Sequence, residues 1–515
     1  MINRTHPLKI QLLIAAAAAI LFIPFLGGLH LFDWDEINFA EAAREMIVTG
    51  NYLTVQIDFQ PFWEKPPLFI WLQVLSMKLF GINEFAARFP NAVCGIVTML
   101  TLFSIGRKIR DNLFGVLWTL AFAGAVLPFF YFKSGIIDPW FNLFIFLGIY
   151  FLMLYAYPEN QHKLRNIALS AVFTGLAVLT KGPVGFLLVA LTGGVFLLII
   201  RFRIKVKVQD VLVFFAVLAL VGGSWFILQL LNGNYDTVEE FIVYQVRLFQ
   251  TQDAGHGGFF GYHFVVLLFG VFPTSVIMLK SFKKEKENES FYPFMKKWMV
   301  ILFWVVLILF SIVKTKIVHY SSLAYFPMSF LAAGFVYNAY HEKARWSKWM
   351  SGLTIGISFI IALPVVLLQF VEKYKDEIIA QNWIDDEFTV ANLQATANWS
   401  GLEFLPGALF FLAVIFTFIF TRKQEVLKRA VLLWSATMLF MLTVIYTIVP
   451  KIEKYSQHAL IEFFESKAGK DVYLLNVGFK SYATYFYGKT QPPANPNIMM
   501  KTGFSQATSI RTPGL

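Results

Sequence analysis

Residues 297–313 read KWMVILFWVVLILFSIV, a nearly unbroken apolar run that ends directly before the polar segment KTKIVHY at 314–320. The hydrocarbon core of a bilayer is about 30 Å thick, and roughly 20 mostly apolar residues of helix are needed to cross it. Runs of this kind recur from Ile10 to Ile448. The pattern predicts an all-α polytopic membrane protein rather than a soluble domain.

The apolar runs predict about thirteen membrane-spanning helices. They lie near 10–31, 85–106, 114–132, 141–157, 166–180, 183–200, 211–231, 262–280, 297–313, 318–338, 350–370, 403–420 and 430–449. The first run is longer than the apolar region of a signal peptide and lacks a convincing small-residue cleavage site, so we interpret it as a retained span. The single cysteine, Cys94, lies within the second run, which excludes a disulfide framework and a thiolate zinc site.

The net charge of +11 arises from 43 Lys and Arg against 32 Asp and Glu. In a soluble domain this excess would suggest nucleic acid, but here the basic residues form short clusters between apolar runs, which is typical of cytoplasmic loops. We therefore predict no nucleic-acid partner and a cytoplasmic N-terminus. The clusters lie at 107–110, 163–165, 201–207, 283–286, 343–348 and 422–429.

The longer connections fall on the opposite side, which we expect to be the periplasm or an equivalent lumen. In the first of these loops, an apolar stripe predicts a helix at 36–49 that stops at Gly50. A second short helix is expected to begin at Pro67 and, because its residues are mostly apolar, to lie in the membrane interface. The outer connections are 32–84, 232–261 and 371–402.

These assignments divide the chain into a transmembrane domain, 1–450, and a small periplasmic tail, 451–515. A predicted helix at 457–466 and a predicted strand at 472–477 indicate an α/β appendage. The tail ends before a self-sufficient core is evident, which leaves open a truncated or a divergent appendage.

Ionisable residues collect on the outer side. Charges at membrane depth are costly and usually face a cavity or a partner, so their shared side predicts an outward-opening cavity lined by both signs of charge. The residues are Asp33, Asp35, Glu36, Glu64, Lys65, Lys133, Asp138, Lys181, Arg247, His256, Lys314, Lys316, His319 and Tyr320.

Each of these residues also has a purely structural interpretation. Asp33 and Glu36 have the spacing of a helix capping box, and Glu64 with Lys65 could form a surface ion pair. Asp138 before a proline could start a helix, and Lys181 could reach the interface from a helix end. Arg247 could anchor an interfacial helix, and His256 could be an ordinary loop residue.

The combination is more specific than its members, because carboxylates beside several cations suit transfer of a group from an anionic leaving group to a nucleophile. A carboxylate can accept the proton of the acceptor, and lysine or arginine can neutralise a departing phosphate. The chain has no Walker loop or dinucleotide fingerprint on a strand-to-helix turn, which argues against soluble nucleotide donors. A lipid-linked donor is more available on the outer side.

Three elements of the first outer loop and its surroundings resemble bacterial membrane glycosyltransferases related to aminoarabinose transferase and protein O-mannosyltransferase. They are Asp35-Glu36 followed by Ala40-Glu41-x-x-Arg44-Glu45-Met46, then Phe62-x-Glu64-Lys65-Pro66-Pro67-Leu68, then Asn83-Glu84-x-x-x-Arg88. The resemblance continues through Asp138, Thr180-Lys181-Gly182 and Lys314-Thr315-Lys316 with Tyr320. It covers most of the chain in order.

The resemblance implies a GT-C fold in a bacterial inner membrane and an inverting transfer from a polyprenyl-phosphate sugar to a glycolipid such as lipid A or to a protein. It places Asp35 and Asp138 as the catalytic acids. It also makes Glu64 and His256 candidate ligands for a divalent metal, although no cofactor is required by it. Residues expected to bind the donor phosphate or substrate are Glu36, Glu64, Lys65, Lys181, Arg247, Lys316 and Tyr320.

The chain departs from the family pattern at one point and leaves two rival functions open. Aminoarabinose transferases usually have Arg-Tyr where this chain has Asn38-Phe39, so one expected cation is missing and the acceptor stays open. A transporter or flippase of lipid-linked sugars would also place charges within spans, but at the midplane and on both sides. A catalytically silent assembly subunit that keeps the fold is the second rival, and it would not need to retain all four of Asp35, Glu64, Lys65 and Asp138.

Overall fold

The computed structural model describes residues 2–250, 257–282, 291–342, 344–381, 384, 386–470, 472, 474, 476 and 481–492. The described chain is predominantly α-helical. The first four helices are α1 (Pro7–Phe22), α2 (Asp35–Thr49), α3 (Leu68–Phe80) and α4 (Glu84–Ile109). They are followed by α5 (Asn112–Ala123), α6 (Val126–Tyr131), α7 (Asp138–Ala156), α8 (Lys163–Lys181), α9 (Val184–Ile199), α10 (Val208–Gly222), α11 (Ser224–Leu231) and α12 (Tyr235–Gln250).

The second half of the described chain continues with helices. They are α13 (Tyr262–Gly270), α14 (Thr274–Met278), α15 (Phe291–Ile312), α16 (Tyr325–Glu342), α17 (Lys348–Ala380), α18 (Glu387–Leu393), α19 (Leu405–Phe420), α20 (Val426–Thr447), α21 (Val449–Lys454), α22 (His458–Lys467) and α23 (Ala483–Gly488). Short 3-10 helices cover Ile2–Arg4, Leu279–Phe282 and Val318–Ala324.

Both predicted helices of the first outer loop are confirmed. The first, α2, ends at Gly50, whose φ of 70° lies in the left-handed region that glycine adopts without strain. The second, α3, begins directly after Pro67. Between them, β1 (Gln56–Ile57) and β2 (Gln60–Pro61) form a small antiparallel hairpin, with Ile57 paired to Gln60.

The prediction of about thirteen spans is only partly confirmed. Six helices in the described part of the chain are long and apolar enough to cross a membrane, and the number rises to eight if each of two bent helix pairs forms one span. The predicted spans 211–231 and 262–280 are those bent pairs, with angles of 55° and 108°. Gly223 separates the first pair and Pro273, which has no N–H to donate, lies in the second break.

The main apolar core lies between the long helices. Helix α7 packs on α8, α8 packs on α10, and α4 packs on both α1 and α5. The α4–α5 contact needs glycine, because a Cβ atom on Gly106 would lie 2.8 Å from the Cα atom of Gly115. Small residues at such a crossing let two helix backbones approach closely, which is a common source of packing energy between membrane helices.

A second core joins the first outer loop to the tail. Apolar side chains of α2 and α3 pack with Ile461 and Phe464 of α22 and with Phe486 of α23. The predicted helix at 457–466 is confirmed as α22, and the predicted boundary at residue 450 falls inside α21. The described residues of the predicted strand 472–477, which are Val472, Leu474 and Asn476, are not in a strand, and its other residues lie outside the described part.

Candidate active site

A cavity of about 110 Å³ lies where the first outer loop meets the ends of several long helices. Its polar wall contains the ammonium groups of Lys65 and Lys181 and the carboxylate of Asp138. The rest of the wall is mainly apolar, with side chains from α9, α15 and the 3-10 helix Val318–Ala324. The lining residues are Lys65, Asp138, Phe141, Asn142, Lys181, Val184, Leu188, Tyr244, Gln245, Leu309, Phe310, Val313, Tyr320 and Leu323.

Asp138 and Lys181 form a buried ion pair at the edge of this cavity. Nζ of Lys181 lies 2.7 Å from Oδ1 of Asp138, and the two side chains are 13% and 3% exposed, respectively. Asp138 is the first residue of α7 and Lys181 the last of α8, so each charge is favourable at its helix terminus. Gly182 then turns the chain with a φ of +92°. The other carboxylate oxygen of Asp138, Oδ2, is buried and has no hydrogen-bond partner among the described residues.

The side chain of Lys65 lines the cavity, and its ammonium group forms a long ion pair with Glu64. Its Nζ atom is 4.0 Å from Oε2 of Glu64 and 5.4 Å from the ring centre of Tyr244, whose hydroxyl donates to Glu64 at 3.2 Å. Burial lowers the pKa of the Lys65 ammonium, Glu64 opposes this change, and the charge of Lys181 lowers the pKa further. An anion in the cavity would stabilise the charged form of this lysine.

Asp35 does not line the cavity itself; it contacts His319, the neighbour of the lining residue Tyr320, and it is more accessible than Asp138. It is the first residue of α2, its side chain is 35% exposed, and its Oδ2 atom is 3.8 Å from Nδ1 of His319. The charges of Asp138, Lys181, Asp35 and Lys65 all act on His319. The structure therefore brings Asp35, Lys65, Asp138 and Lys181 together around one histidine.

Glu36, which the sequence placed with the substrate-binding residues, lies away from the cavity wall. Its two carboxylate oxygens accept hydrogen bonds from Arg88 at 3.0 and 2.7 Å, and it also accepts from the backbone N–H groups of Gly135 and, at 2.8 Å, Phe32. This buried pair fixes α2 to α4. The capping-box interpretation is wrong as well, because Trp34 precedes the helix without a side-chain cap.

Of the remaining predicted substrate-binding residues, Tyr320 lines the cavity and Lys316 does not. Tyr320 lines the cavity, with its ring centre 5.7 Å from Nζ of Lys181. Lys316 donates to the carbonyl oxygens of Phe310, Ser311 and Val313 at 2.6 to 2.9 Å, so it caps the end of α15 and does not line the cavity. Its long flexible side chain satisfies carbonyls that the helix leaves without partners.

Arg247 is exposed and does not line the cavity, and its guanidinium lies 5.1 Å from the ring centre of Tyr244. It therefore contacts the site through that tyrosine. His256, the second candidate metal ligand beside Glu64, lies outside the described residues. The metal pair implied by the resemblance stays a prediction.

Two residues of the site had no role assigned from the sequence. The sequence identifies His319 only as an ionisable residue on the outer side, and Tyr244 belongs to no recognisable motif. The adjacency of His319 to Tyr320 was the available signal. For Tyr244 no local signal exists, because its partner Glu64 is 180 residues away along the chain.

The two residues that depart from the family pattern, Asn38 and Phe39, are both buried. Phe39 is buried and packs edge-to-face on Phe69, with ring centres 5.7 Å apart, next to Ile137. The apolar side chain at position 39 therefore completes a small core with Phe69 and Ile137, while the position of the expected cation is occupied by the neutral Asn38.

A larger cavity of about 300 Å³ lies between α7, α9 and α10. Of the described residues that line it, Asp210 alone is charged, and this carboxylate already accepts a hydrogen bond from Tyr155 at 2.8 Å. The described lining of this cavity thus contains no cation beside its carboxylate, so the smaller cavity with Lys65, Asp138 and Lys181 is the better candidate site.

Comparisons with known proteins agree with this architecture. Residues 64–226 match the sequence model of the family described as dolichyl-phosphate-mannose-protein mannosyltransferase. An uncharacterized protein of Aquifex aeolicus is 29% identical over 396 residues, which cover 72% of this chain and 75% of that protein. An undecaprenyl phosphate-alpha-4-amino-4-deoxy-L-arabinose arabinosyl transferase of Serratia proteamaculans is 27% identical over 372 residues, covering 69% of this chain and 64% of the relative. The corresponding enzyme of Photorhabdus laumondii is 26% identical, and the match spans 63% of this chain and 58% of that enzyme.

The fold is also that of a solved structure. ArnT from Cupriavidus metallidurans bound to undecaprenyl phosphate aligns with a TM-score of 0.73 at 18% identity, covering 98% of this chain and 88% of ArnT. At this identity the likeness shows that the two chains share a fold. The sequence matches show that the chain is similar to the aminoarabinose transferases and, over residues 64–226, to the mannosyltransferase family model, and the ArnT comparison shows the shared fold.

Proposed function

We propose that this chain is an inverting glycosyltransferase that moves a sugar from a polyprenyl-phosphate carrier to an acceptor at the outer face of a bacterial inner membrane. The observation that carries the proposal is the composition of the cavity wall. Lys65 and Lys181 share one cavity whose remaining surface is largely apolar, with Asp35 and Asp138 close by. A phosphate attached to a long hydrocarbon chain matches both parts of this surface.

The two lysines are suited to different parts of donor binding. Lys181 is already neutralised by Asp138 at 2.7 Å, whereas Lys65 is half-buried and lies 4.0 Å from the carboxylate of Glu64. An incoming phosphate therefore improves the electrostatic environment of Lys65 most. The apolar side chains of Leu309 and Phe310 border the same cavity and would contact the isoprenoid chain of the carrier.

The reaction would be a direct displacement at the anomeric carbon. The acceptor oxygen forms a bond to this carbon while the bond to the carrier's phosphate oxygen breaks, and the electron pair leaves with the phosphate. Lys65 and Lys181 stabilise the charge that develops on that oxygen. Oδ2 of Asp138, for which the described part of the chain offers no hydrogen-bond partner, is available to accept a hydrogen bond from a sugar or acceptor hydroxyl.

Asp35 is the candidate base because it is accessible and weakly paired. In the described part of the chain its one ion pair is the 3.8 Å contact with His319. A hydroxyl acceptor would transfer its proton to Asp35. A phosphate acceptor such as that of lipid A is already ionised near neutral pH, and Asp35 would then position it.

Relatives with matching sequences support the same donor class. Those of Serratia and Photorhabdus are named as transferases that use an undecaprenyl phosphate aminoarabinose, and the ArnT structure contains undecaprenyl phosphate. Glycolipids and proteins are both candidate acceptors for this chain. The basic clusters between spans support a cytoplasmic N-terminus, which would put the cavity on the periplasmic side.

The test uses purified protein in detergent with a radiolabelled polyprenyl-phosphate sugar and an envelope lipid or protein fraction as acceptor. We expect transfer by the wild type and a loss of about 10²-fold or more in Asp35→Asn. Asp376→Asn, which changes an exposed aspartate of α17, serves as the matched control. Full turnover by Asp35→Asn would remove this residue from the mechanism.

A transport activity is distinguished in liposomes. A flippase would move the labelled carrier between leaflets with the sugar still attached to its phosphate, whereas the proposed enzyme releases free polyprenyl phosphate. Mass spectrometry of lipid A, other envelope glycolipids and secreted proteins from cells with and without the gene would identify the sugar and the acceptor. Movement of intact carrier without any change in these masses would reject the enzyme proposal.

A further inference from the structure

Three side chains that can bind metals meet where the tail packs against the chain that follows the first helix. His30 lies before the first outer loop, Glu453 lies in α21, and His458 is the first residue of α22. One ligand atom from each lies within 4.8 Å of the other two. Nδ1 of His30 is 2.5 Å from Oε1 of Glu453, and Nδ1 of His458 is 3.6 Å from the same oxygen.

The ring of His458 lies between two carboxylates. Nε2 of His458 lies 3.0 Å from Oε1 of Glu462, one helical turn further along α22. A carboxylate beside one ring nitrogen favours the hydrogen there and leaves the other nitrogen as an acceptor. Nδ1 is buried and has no hydrogen-bond partner among the described residues. With the hydrogen on Nε2, both Nδ1 of His458 and Oε1 of Glu453 are acceptors, and a cation between them would remove their repulsion.

We propose that His30, Glu453 and His458 form a binding site for a divalent cation of the zinc type. Two imidazole nitrogens and one carboxylate are a common ligand set for zinc, with a fourth position for water or another carboxylate. Glu84 and Glu465 also lie within reach of His30. Glu462 supplies the outer carboxylate that orients many metal-binding histidines. This site shares no residue with the Glu64 and His256 pair.

The surroundings indicate a structural role for the ion. Next to the three ligands, the side chain of Gln457 donates to the carbonyl of Leu31 at 2.8 Å and accepts from the N–H of Asp33 at 3.2 Å. The tail thus holds the segment that leads into Asp35 and α2. A metal bound to His30 and to two residues of the tail would add a second connection at the same place.

An ordinary ion pair between protonated His30 and Glu453 is the competing explanation. Interaction with Glu453 raises the pKa of His30, which favours such a pair. A protonated His458 would form an ion pair with Glu453 as well, so the contacts at 2.5 and 3.6 Å fit either explanation. The two explanations differ in whether residue 458 contacts a metal.

Cobalt substitution tests this contact directly. The full-length protein in detergent is stripped with EDTA and titrated with Co²⁺, both as wild type and as His458→Cys. The one native thiol, Cys94, is fully buried, so the wild type should bind Co²⁺ without a thiolate-to-cobalt charge-transfer band. The cysteine variant should bind it with that band in the near ultraviolet, because a thiolate at position 458 would replace the imidazole ligand.

A control and a second reporter complete the experiment. His162→Cys changes an exposed histidine elsewhere and should bind Co²⁺ as the wild type does, without the band. His30→Cys repeats the test from the other ligand in case one variant does not fold. In the wild type, Zn²⁺ should raise the midpoint of thermal unfolding, and this shift should be lost in His30→Ala. Failure of the wild type to bind Co²⁺, or absence of the band in both cysteine variants when they elute as native protein, would overturn the proposal.

Discussion

Nζ of Lys181 lies 2.7 Å from Oδ1 of Asp138, so the last residue of α8 is ion-paired with the first residue of α7 at the cavity wall. The pair places a positive charge at a carboxyl-terminal helix end and a negative charge at an amino-terminal one, which is favourable in both cases. Because both side chains are largely buried, each charge depends on the other. The stability of the site and its proposed chemistry are therefore coupled at this pair.

Lys181→Met is expected to destabilise the protein as well as reduce transfer. Removal of one partner leaves the Asp138 carboxylate buried without its cation, which typically costs about 3–5 kcal/mol. The unfolding midpoint in detergent should fall clearly, and transfer should fall because one phosphate-neutralising charge is gone.

The double variant Asp138→Asn with Lys181→Met separates the two effects. It contains neither buried charge, so its unfolding midpoint should return most of the way to that of the wild type while transfer stays low. If the double variant is as unstable as Lys181→Met, the loss does not arise from an unpaired carboxylate.

Lys65→Met is expected to reduce donor binding without loss of stability. The lysine has only a loose ion pair with Glu64, and its burial is unfavourable to its own charge, so the apolar replacement should fold at least as well. Removal of this charge should lower kcat/KM for the donor by about 10²-fold, as for other groups that stabilise a developing anion. Donor titrations with the purified variants provide the measurement.

The lowered pKa of Lys65 also predicts a pH dependence of donor binding. A lysine whose pKa is below its usual value loses its charge at a lower pH, so affinity for a polyprenyl phosphate should weaken as the pH rises toward the ordinary lysine range. Lys65→Arg keeps a charge throughout this range and should abolish the alkaline decrease. Parallel decreases in the wild type and in Lys65→Arg would assign the pH dependence to another group.

Glu36→Gln is expected to act on stability and not on the donor. The carboxylate of Glu36 accepts two bonds from Arg88, which itself donates to the carbonyl oxygens of Leu26 and Leu29 at 2.9 and 2.8 Å. Loss of the negative charge leaves the Arg88 guanidinium without its ion-pair partner in a buried position, at a cost of about 3 kcal/mol or more. The folded fraction should keep the KM of the wild type for the donor. An increased KM at unchanged stability would instead support the role that the sequence suggested for Glu36.

The sequence predicted the helices better than the partners of their side chains. Apolar runs and terminal glycine or proline residues located α2, α3 and α15 because these signals are local. Such local signals do not predict that the neighbours Asp35 and Glu36 have different partners. One residue of helix is a rotation of about 100°, and this rotation directs Asp35 toward His319 and Glu36 toward Arg88.

For a related reason, a single sequence does not predict which distant residues contact each other. His30 and Glu453 are 423 residues apart, and no local periodicity records their contact. Lys316 belongs to the basic segment Lys314-Thr315-Lys316, which suggested phosphate binding. Its side chain instead donates to the carbonyl oxygens of Phe310 and Val313 at the end of α15. Charge and hydrophobicity predict which loops share a side of the membrane, whereas the partner of each charged side chain is known only from the fold.

The first outer loop contains a further buried acid that predicts how stability changes with pH. Glu45 is fully buried. Its carboxyl group accepts hydrogen bonds from the backbone N–H groups of Asp58 and Phe59, at 2.6 and 2.8 Å, and these two residues form the turn between β1 and β2. Burial, together with the nearby carboxylate of Glu41, raises the pKa of Glu45 to about 9. The folded protein thus keeps a proton on Glu45 that the unfolded chain releases near its ordinary pKa of 4.5.

The direction of the effect follows from this difference in proton binding. Between about pH 4.5 and pH 9 the folded state binds more protons at Glu45 than the unfolded state does, so this residue makes the protein less stable as the pH rises through that range. Glu45→Gln has no proton to lose, and its unfolding midpoint should depend less on pH there, even though one backbone hydrogen bond is weakened. Glu377→Gln, at an exposed position of α17, is the matched control and should retain the wild-type slope. Unfolding midpoints measured from pH 5 to pH 9 decide the matter, because equal slopes in the wild type and in Glu45→Gln would mean that Glu45 is already ionised in the folded protein.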